Sequence, residues 1–315
     1  MNPLSNEQIV AEAEHGPVDL TPADAPVAGP AKPPKSALRM TLQAFLENKL
    51  AIAGLVLIVL LVLFCFLGPL LYHTEQIQTD LKGADLGPGG GHPLGTDDVG
   101  YDELGRLMAG GQSSLEIGVA AAIIATVFGT LWGAVAGYVG GFVDSVMMRI
   151  VDTFLAIPTL FLLLILAAIF SPSVGLLILV VSFGAWLTPA RLVRGETLSL
   201  RTREYVQAVK MMGGGNRRAI LRHIAPNAIG TIVVNATFQV ADAILVVAAL
   251  SYLGLGISPP HADWGNMLSN GTNFVQNGYW WMILPPGIAI MLAVIAFNFL
   301  GDALRDALEV RLRKR

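Results

Sequence analysis

Six long apolar runs alternate with polar stretches along the chain, near residues 49–71, 113–137, 144–170, 174–193, 227–256 and 280–301. About 20 residues of helix cross the hydrocarbon core of a bilayer, and each run is long enough. Backbone groups in lipid must be paired inside a helix or a closed barrel. The alternating segments of roughly ten residues that a barrel needs are absent. The pattern therefore predicts an all-α, polytopic membrane protein with six transmembrane helices. Residues 1–36 read differently: Pro3, Pro17, Pro22, Pro26, Pro30, Pro33 and Pro34 stand among small residues, which predicts a disordered tail. The expected division is that tail, a first helix with its loop over 37–112, a helical core over 113–302 and a basic tail over 303–315.

Charge orients the helices. With the N-terminus inside, all of the 20 basic residues except Lys82 and Arg106 fall on the cytoplasmic side, so both termini are expected there. The first outer loop instead carries Glu75, Asp80, Asp85, Asp97, Asp98, Asp102 and Glu103. A chain that is 54% hydrophobic and only 14% charged is not an ordinary soluble domain, and its net charge of −3 argues against nucleic acid as a partner. The single cysteine, Cys65, permits neither an intrachain disulfide nor a cysteine metal site. The first apolar run begins too late for a cleaved signal peptide.

Residues 204–226, between the fourth and fifth spans, read EYVQAVKMMGGGNRRAILRHIAP. Tyr205, Ala208, Val209 and Met212 recur at i, i+3, i+4 and i+7, one apolar stripe on a short helix. Gly213, Gly214 and Gly215 end it, because glycine takes the left-handed cap conformation at little cost. Arg217 to Ile224 form a second short helix, which Pro226 closes at the entry to the fifth span. Arg191, Arg194, Arg201, Arg203, Lys210, Arg217, Arg218 and Arg222 face only Glu196 and Glu204 as acids. By physics alone the loop either lies on anionic lipid or docks in a groove of a partner protein.

The spacing resembles the cytoplasmic "EAA" loop of bacterial ABC importer permeases: Glu-Ala-Ala, three residues, Gly, nine residues, then Ile-x-Leu-Pro. Gln207, Ala208, Val209, Gly213 and Pro226 hold those positions, with Glu204 just upstream. Gln207 replaces the glutamate, Val209 the second alanine, Ala225 the leucine, and His223 stands at the isoleucine position. A distant stretch, His92-Pro93-Leu94-Gly95-Thr96-Asp97 with Gly100 and Leu104-Gly105-Arg106-Leu107, is similar to the outer-loop signature of C-type subunits of dipeptide and oligopeptide permeases. Tyr101 stands there in place of the usual arginine. Val151-Asp152 with Leu155-Ala156-Ile157-Pro158, and Leu250 to Gly256 (LSYLGLG), resemble the same subgroup. The likeness covers residues 36–312.

The resemblance implies a type I importer permease fold and a machine with several partners. These are a second homologous permease, two ATPase subunits that bind ATP and magnesium, and an extracytoplasmic substrate-binding protein. Glu204, Tyr205, Gln207, Ala208, Val209, Met212, Gly213, Arg217, His223 and Pro226 would form the coupling loop in an ATPase groove. The implied cargo is a di- or oligopeptide, with nickel, glutathione or another small solute as the alternative. A secondary transporter or channel is the rival class, but it has no need of such a docking helix.

No cofactor or catalytic role is expected for this chain itself. It has no Gly-x-x-x-x-Gly-Lys-Ser/Thr phosphate loop, and its Gly213–Gly215 run follows a helix, which reads as a cap. His15, His73, His92, His223 and His261 are too scattered for a metal cluster. Thr231, Asn235, Gln239 and Asp242 share one face of the fifth span. They are either a hydrogen-bonded seam with the partner permease or a wall of the translocation path, with Asp242 meeting a peptide ammonium. Asp144, Arg149 and Asp152, at the cytoplasmic end of the third span, form either a local charge network or a contact with the coupling helix. Gly129, Gly133 and Gly137 predict close helix packing. Pro158, Pro189, Pro285 and Pro286 are expected to interrupt spans three, four and six, and Trp264, Trp280 and Trp281 to anchor the interface.

Overall fold

The computed structural model describes residues 45–170, 172–213 and 220–313, so the tail expected over 1–36 lies outside the described residues. Helix α1 spans Lys49–Leu71, coincident with the first apolar run. Asn48 starts it: its side-chain oxygen accepts from the backbone N–H of Leu50 at 2.9 Å, meeting one of the donors that a helix start leaves unpaired. Helix α2, Glu103–Val139, is 37 residues long. That is about 55 Å, well beyond the thickness of a bilayer core. It begins ten residues before the expected span because Asp102 caps it, accepting from Gly105 N at 2.8 Å.

The third and fourth runs are each broken in two. Helices α3, Gly141–Leu155, and α4, Thr159–Ile169, meet at 83° around Pro158. Helices α5, Val174–Ala185, and α6, Leu187–Leu200, meet at 43°. A short helix α7, Glu204–Met211, follows; then a π turn at Ile220–Ile224 opens into α8, Ala225–Leu250, which ends in a second π turn at Ser251–Leu255. Helix α9, Trp264–Thr272, was not legible as a periodic segment, and α10 covers Leu284–Arg313. Among the described residues, four helices are long and apolar enough to cross a membrane, and six spans result if each bent pair is one. Helix α10 stays helical through residues 303–313, with Ala303 and Ala307 buried.

The prolines divide by position. Pro158 lies at the first break, and Pro189 lies in the first turn of α6, just past the second break at Trp186. Pro285 and Pro286 do not interrupt a span: they occupy the first turn of α10, where a missing N–H costs nothing. The glycine expectation is met on α2. A Cβ at Gly129 would lie 2.5 Å from the Trp186 carbonyl, one at Gly133 2.8 Å from Arg194 N, and one at Gly137 2.8 Å from the Arg194 carbonyl. Three successive turns of α2 thus lie directly on the backbone of α6. Trp264 and Trp281 are core residues rather than interface anchors. Trp264 is fully buried and donates Nε1–H to the Leu107 carbonyl at 3.0 Å, and Trp281 Nε1 donates to the Thr96 carbonyl at 3.2 Å. Trp280 is exposed. Helix α2 runs from an end built of residues 72–102 and 256–283, the loop end, to an end that includes residues 201–213 and 220–224, the basic end.

Candidate functional site

At the basic end, α6 finishes at Leu200, and Arg201 turns its guanidinium back onto the Gly137 carbonyl at 3.0 Å. Only Thr202 and Arg203 separate that arginine from α7. Val206 is 2% exposed and anchors α7 to the body, although it lies off the expected stripe. Ala208 and Met212 of that stripe are exposed; the side chains of Tyr205, Val209 and His223, and all of Arg217, lie outside the described residues. Met211 and Met212 are 88% and 78% exposed. Glu204 is exposed too, and Gln207 donates its side-chain amide to the Arg201 carbonyl at 3.2 Å. The side chain that replaces the glutamate of the motif therefore ties α7 to the end of α6. Gly213 has φ of +77°, the left-handed conformation that stops α7. Ile220 and Ile224 are buried against Ala134 and Val193, so the return arm is also anchored, and Pro226 sits exposed in the first turn of α8.

Behind this loop stand two ion pairs. Arg194 grips Asp144 with both forks, Nε to Oδ1 at 2.5 Å and Nη2 to Oδ2 at 2.7 Å. Arg191 Nη2 pairs with Asp152 Oδ1. The charge network expected among Asp144, Arg149 and Asp152 is corrected in one member. Arg149 is exposed and pairs with neither carboxylate, whereas Asp144 and Asp152 pair with Arg194 and Arg191 of α6.

The polar stripe of the fifth span resolves into different roles. Thr231 donates to Glu196 Oε1 at 3.0 Å, and Gln239 donates to the Ala185 carbonyl at 2.6 Å. Asn235 Oδ1 is buried with no hydrogen-bond partner among the described residues. Asp242 is exposed on this chain.

The loop end explains the His92–Leu107 motif. Asp102 accepts from the Tyr72 hydroxyl at 2.8 Å and lies 2.8 Å from His92 Nδ1 while it caps α2. Asp97 accepts from the N–H groups of Val99 and Tyr101 at 3.1 and 2.7 Å. Burial pushes its carboxyl above the usual aspartate range, and the two backbone bonds pull against that shift. Gly100, at φ +87°, is pressed against the Asp80 carbonyl, which leaves no room for a Cβ. Arg106 stacks over Tyr101 with its guanidinium carbon 4.1 Å from the ring centre, and donates to the Pro260 carbonyl at 2.6 Å. The motif thus clamps the segment after α8 to the first loop. Asp263, fully buried, caps α9 by accepting from Asn266 N at 2.9 Å. Its other oxygen faces the Ser251 hydroxyl beside Gly256 without a well-formed hydrogen bond.

Residues 129–314, which hold α7, both ion pairs and the polar stripe, match the family described as binding-protein-dependent transport system inner membrane component. The chain belongs to that permease family. Residues 36–88 match the N-terminal TM domain of oligopeptide transport permease C. The permease is 38% identical over 270 residues to the oligopeptide transport system permease protein OppC of Bacillus subtilis, covering 86% of this chain and 88% of that one. It is 41% identical over 271 residues to OppC of Escherichia coli, covering 85% and 89%. It is 38% identical over 268 residues to the dipeptide transport system permease protein DppC of Bacillus subtilis, covering 85% and 84%. With its several apolar helices, the permease is a multi-pass protein of a bacterial inner membrane.

Several polar residues of the structure were not singled out by sequence reading. Arg191 and Arg194 were visible only as members of a basic loop, since pairing with Asp152 and Asp144 is a tertiary property. Glu116 lies within the second span, exposed on a face with Val119, Ile123 and Val127. One acid inside a long apolar run was its signal, and such residues face a cavity or a partner rather than lipid. Asp263 sits in a polar segment that reads as a loop.

Proposed function

We propose that this permease is one of two homologous membrane subunits of an ATP-driven importer of di- or oligopeptides. Two ATPase subunits on the cytoplasmic, basic end would bind ATP and magnesium, and a substrate-loaded binding protein would dock at the loop end. The single observation that carries the reading is α7: a helix anchored by Val206 that presents Ala208, Met211 and Met212 outward. Exposed methionines beside a surplus of arginine fit an apolar groove with acidic margins on another protein. The printed names of the relatives, oligopeptide and dipeptide permeases, support the peptide cargo.

In this reading ATP-loaded subunits bind one of two arrangements of the permease pair more tightly and shift the population toward it, which is alternating access. Glu204 to Gly213 seat in the ATPase, and the arm through His223 to Pro226 carries the displacement into α8. Asp242, a carboxylate exposed at membrane depth, faces the path between the two permeases, where it meets the ammonium end of a peptide. The test is Gly213→Pro in the complete transporter. Proline cannot adopt φ of +77°, so the stop of α7 is lost. ATP-dependent uptake is expected to vanish while the chain remains in the membrane, and unchanged uptake sinks the assignment.

A further inference from the structure

We propose that Asp144 and Arg194, supported by Asp152 and Arg191, are positioning residues that lock α3 and α6 into one rigid strut behind the coupling helix. The proposal rests on the coupling reading of α7 and adds to it the route by which displacement leaves α7.

The geometry points to a strut in three steps. First, the Arg194–Asp144 contact is a two-pronged fork, and the Asp144 side chain is only 13% exposed. A planar guanidinium bound at both nitrogens fixes direction as well as distance, which a lysine in its place does not. The Arg191–Asp152 pair, two turns farther along α3, prevents pivoting about that single point. Second, the same α6 rests its backbone on Gly133 and Gly137 of α2, and Arg201 donates to the Gly137 carbonyl. Helices α2, α3 and α6 are therefore tied pairwise at the basic end. Third, α7 joins this block through a short linker and the Gln207 bond to the Arg201 carbonyl. Beyond the block both α3 and α6 run into breaks, 83° at Pro158 and 43° beside Pro189. Packed helices move as units and bend where hydrogen-bond ladders are interrupted. A push on α7 is thus delivered undiminished through the strut to the two breaks.

The experiment uses the whole transporter, reconstituted in liposomes with its binding protein and a peptide, and reads peptide imported per ATP hydrolysed. Asp144→Asn and Arg194→Lys should hydrolyse ATP yet import about five- to tenfold less peptide per ATP, the range of a modest coupling energy. Replacing the pair by Asp144→Cys with Arg194→Cys and bridging them with a short bis-maleimide should restore the ratio. Within this chain only the introduced pair is open to the reagent, because its single native cysteine, Cys65, is buried. A bridged pair that blocks import, or Arg194→Lys with an unchanged ratio, overturns the strut. If Asp144→Asn does not assemble, those two measurements still decide. Met211→Cys, cross-linked in the same complex, separates the two readings: no adduct with an ATPase overturns the coupling role of α7. An adduct with an unchanged ratio in Arg194→Lys overturns the strut alone.

Discussion

Gln239 on α8 donates a 2.6 Å hydrogen bond to the backbone carbonyl of Ala185, the oxygen that Pro189 cannot reach because it has no N–H four residues on. The fifth span thereby completes the broken ladder of the fourth. A carbonyl left bare in a buried site costs about 1–3 kcal/mol, so Gln239→Leu should destabilise the purified protein by that amount. The bond has a further signature in a double-mutant cycle. Pro189→Ala restores a backbone donor at position 189, and Gln239→Leu should then cost clearly less than in the native background. Thermal unfolding of the four proteins in one detergent checks this, and strictly additive effects would rule out the shared acceptor.

How much of this was legible beforehand differs by residue. The first apolar run, 49–71, coincides with α1, which Asn48 caps at its start, because few of its residues need a tertiary partner. The stop of α7 at Gly213 was legible because a positive φ is a local demand that only glycine meets cheaply. Gln239 was read as one of four like polar residues, yet its partner lies 54 residues away and exists only because α5 and α6 break. Trp264 read as an interfacial anchor for the same reason: its partners, Leu107 and Ser114, are about 150 positions distant. Hydropathy reports what must leave water, and it is silent on which buried group meets which.

The α2–α6 contact makes a contrasting pair of glycines. A Cβ at Gly133 would overlap the Ala190 carbonyl and come within 2.8 Å of Arg194 N, both rigid backbone. Overpacking of this kind costs about 1–3 kcal/mol or more, so Gly133→Ala should lower the unfolding temperature of the purified protein. Gly195, on the exposed side of α6, meets nothing within 4 Å. Alanine there gains helix propensity of up to about 1 kcal/mol, and Gly195→Ala should leave stability unchanged or higher. Equal losses in both variants would show that helix contact is not what Gly133 serves.

At the loop end, pH probes Asp263. Burial holds its carboxyl above the ordinary aspartate value, against the N–H bonds that favour the ionised form. The folded chain therefore holds this proton more tightly than the unfolded chain does. Stability from such a group is fully present below the unfolded value of about 3.9 and is lost as pH rises through the folded value. An asparagine at this position would be neutral at every pH and would still cap α9 by accepting from Asn266 N. The unfolding temperature of Asp263→Asn, measured relative to the native protein, should rise as pH is raised from about 4 and then level once the native carboxyl is ionised. Thermal scans across that range give the answer. A relative stability that falls with pH would mean that the ionised carboxylate, not its neutral form, is what the Ser251–Gly256 turn is built to hold.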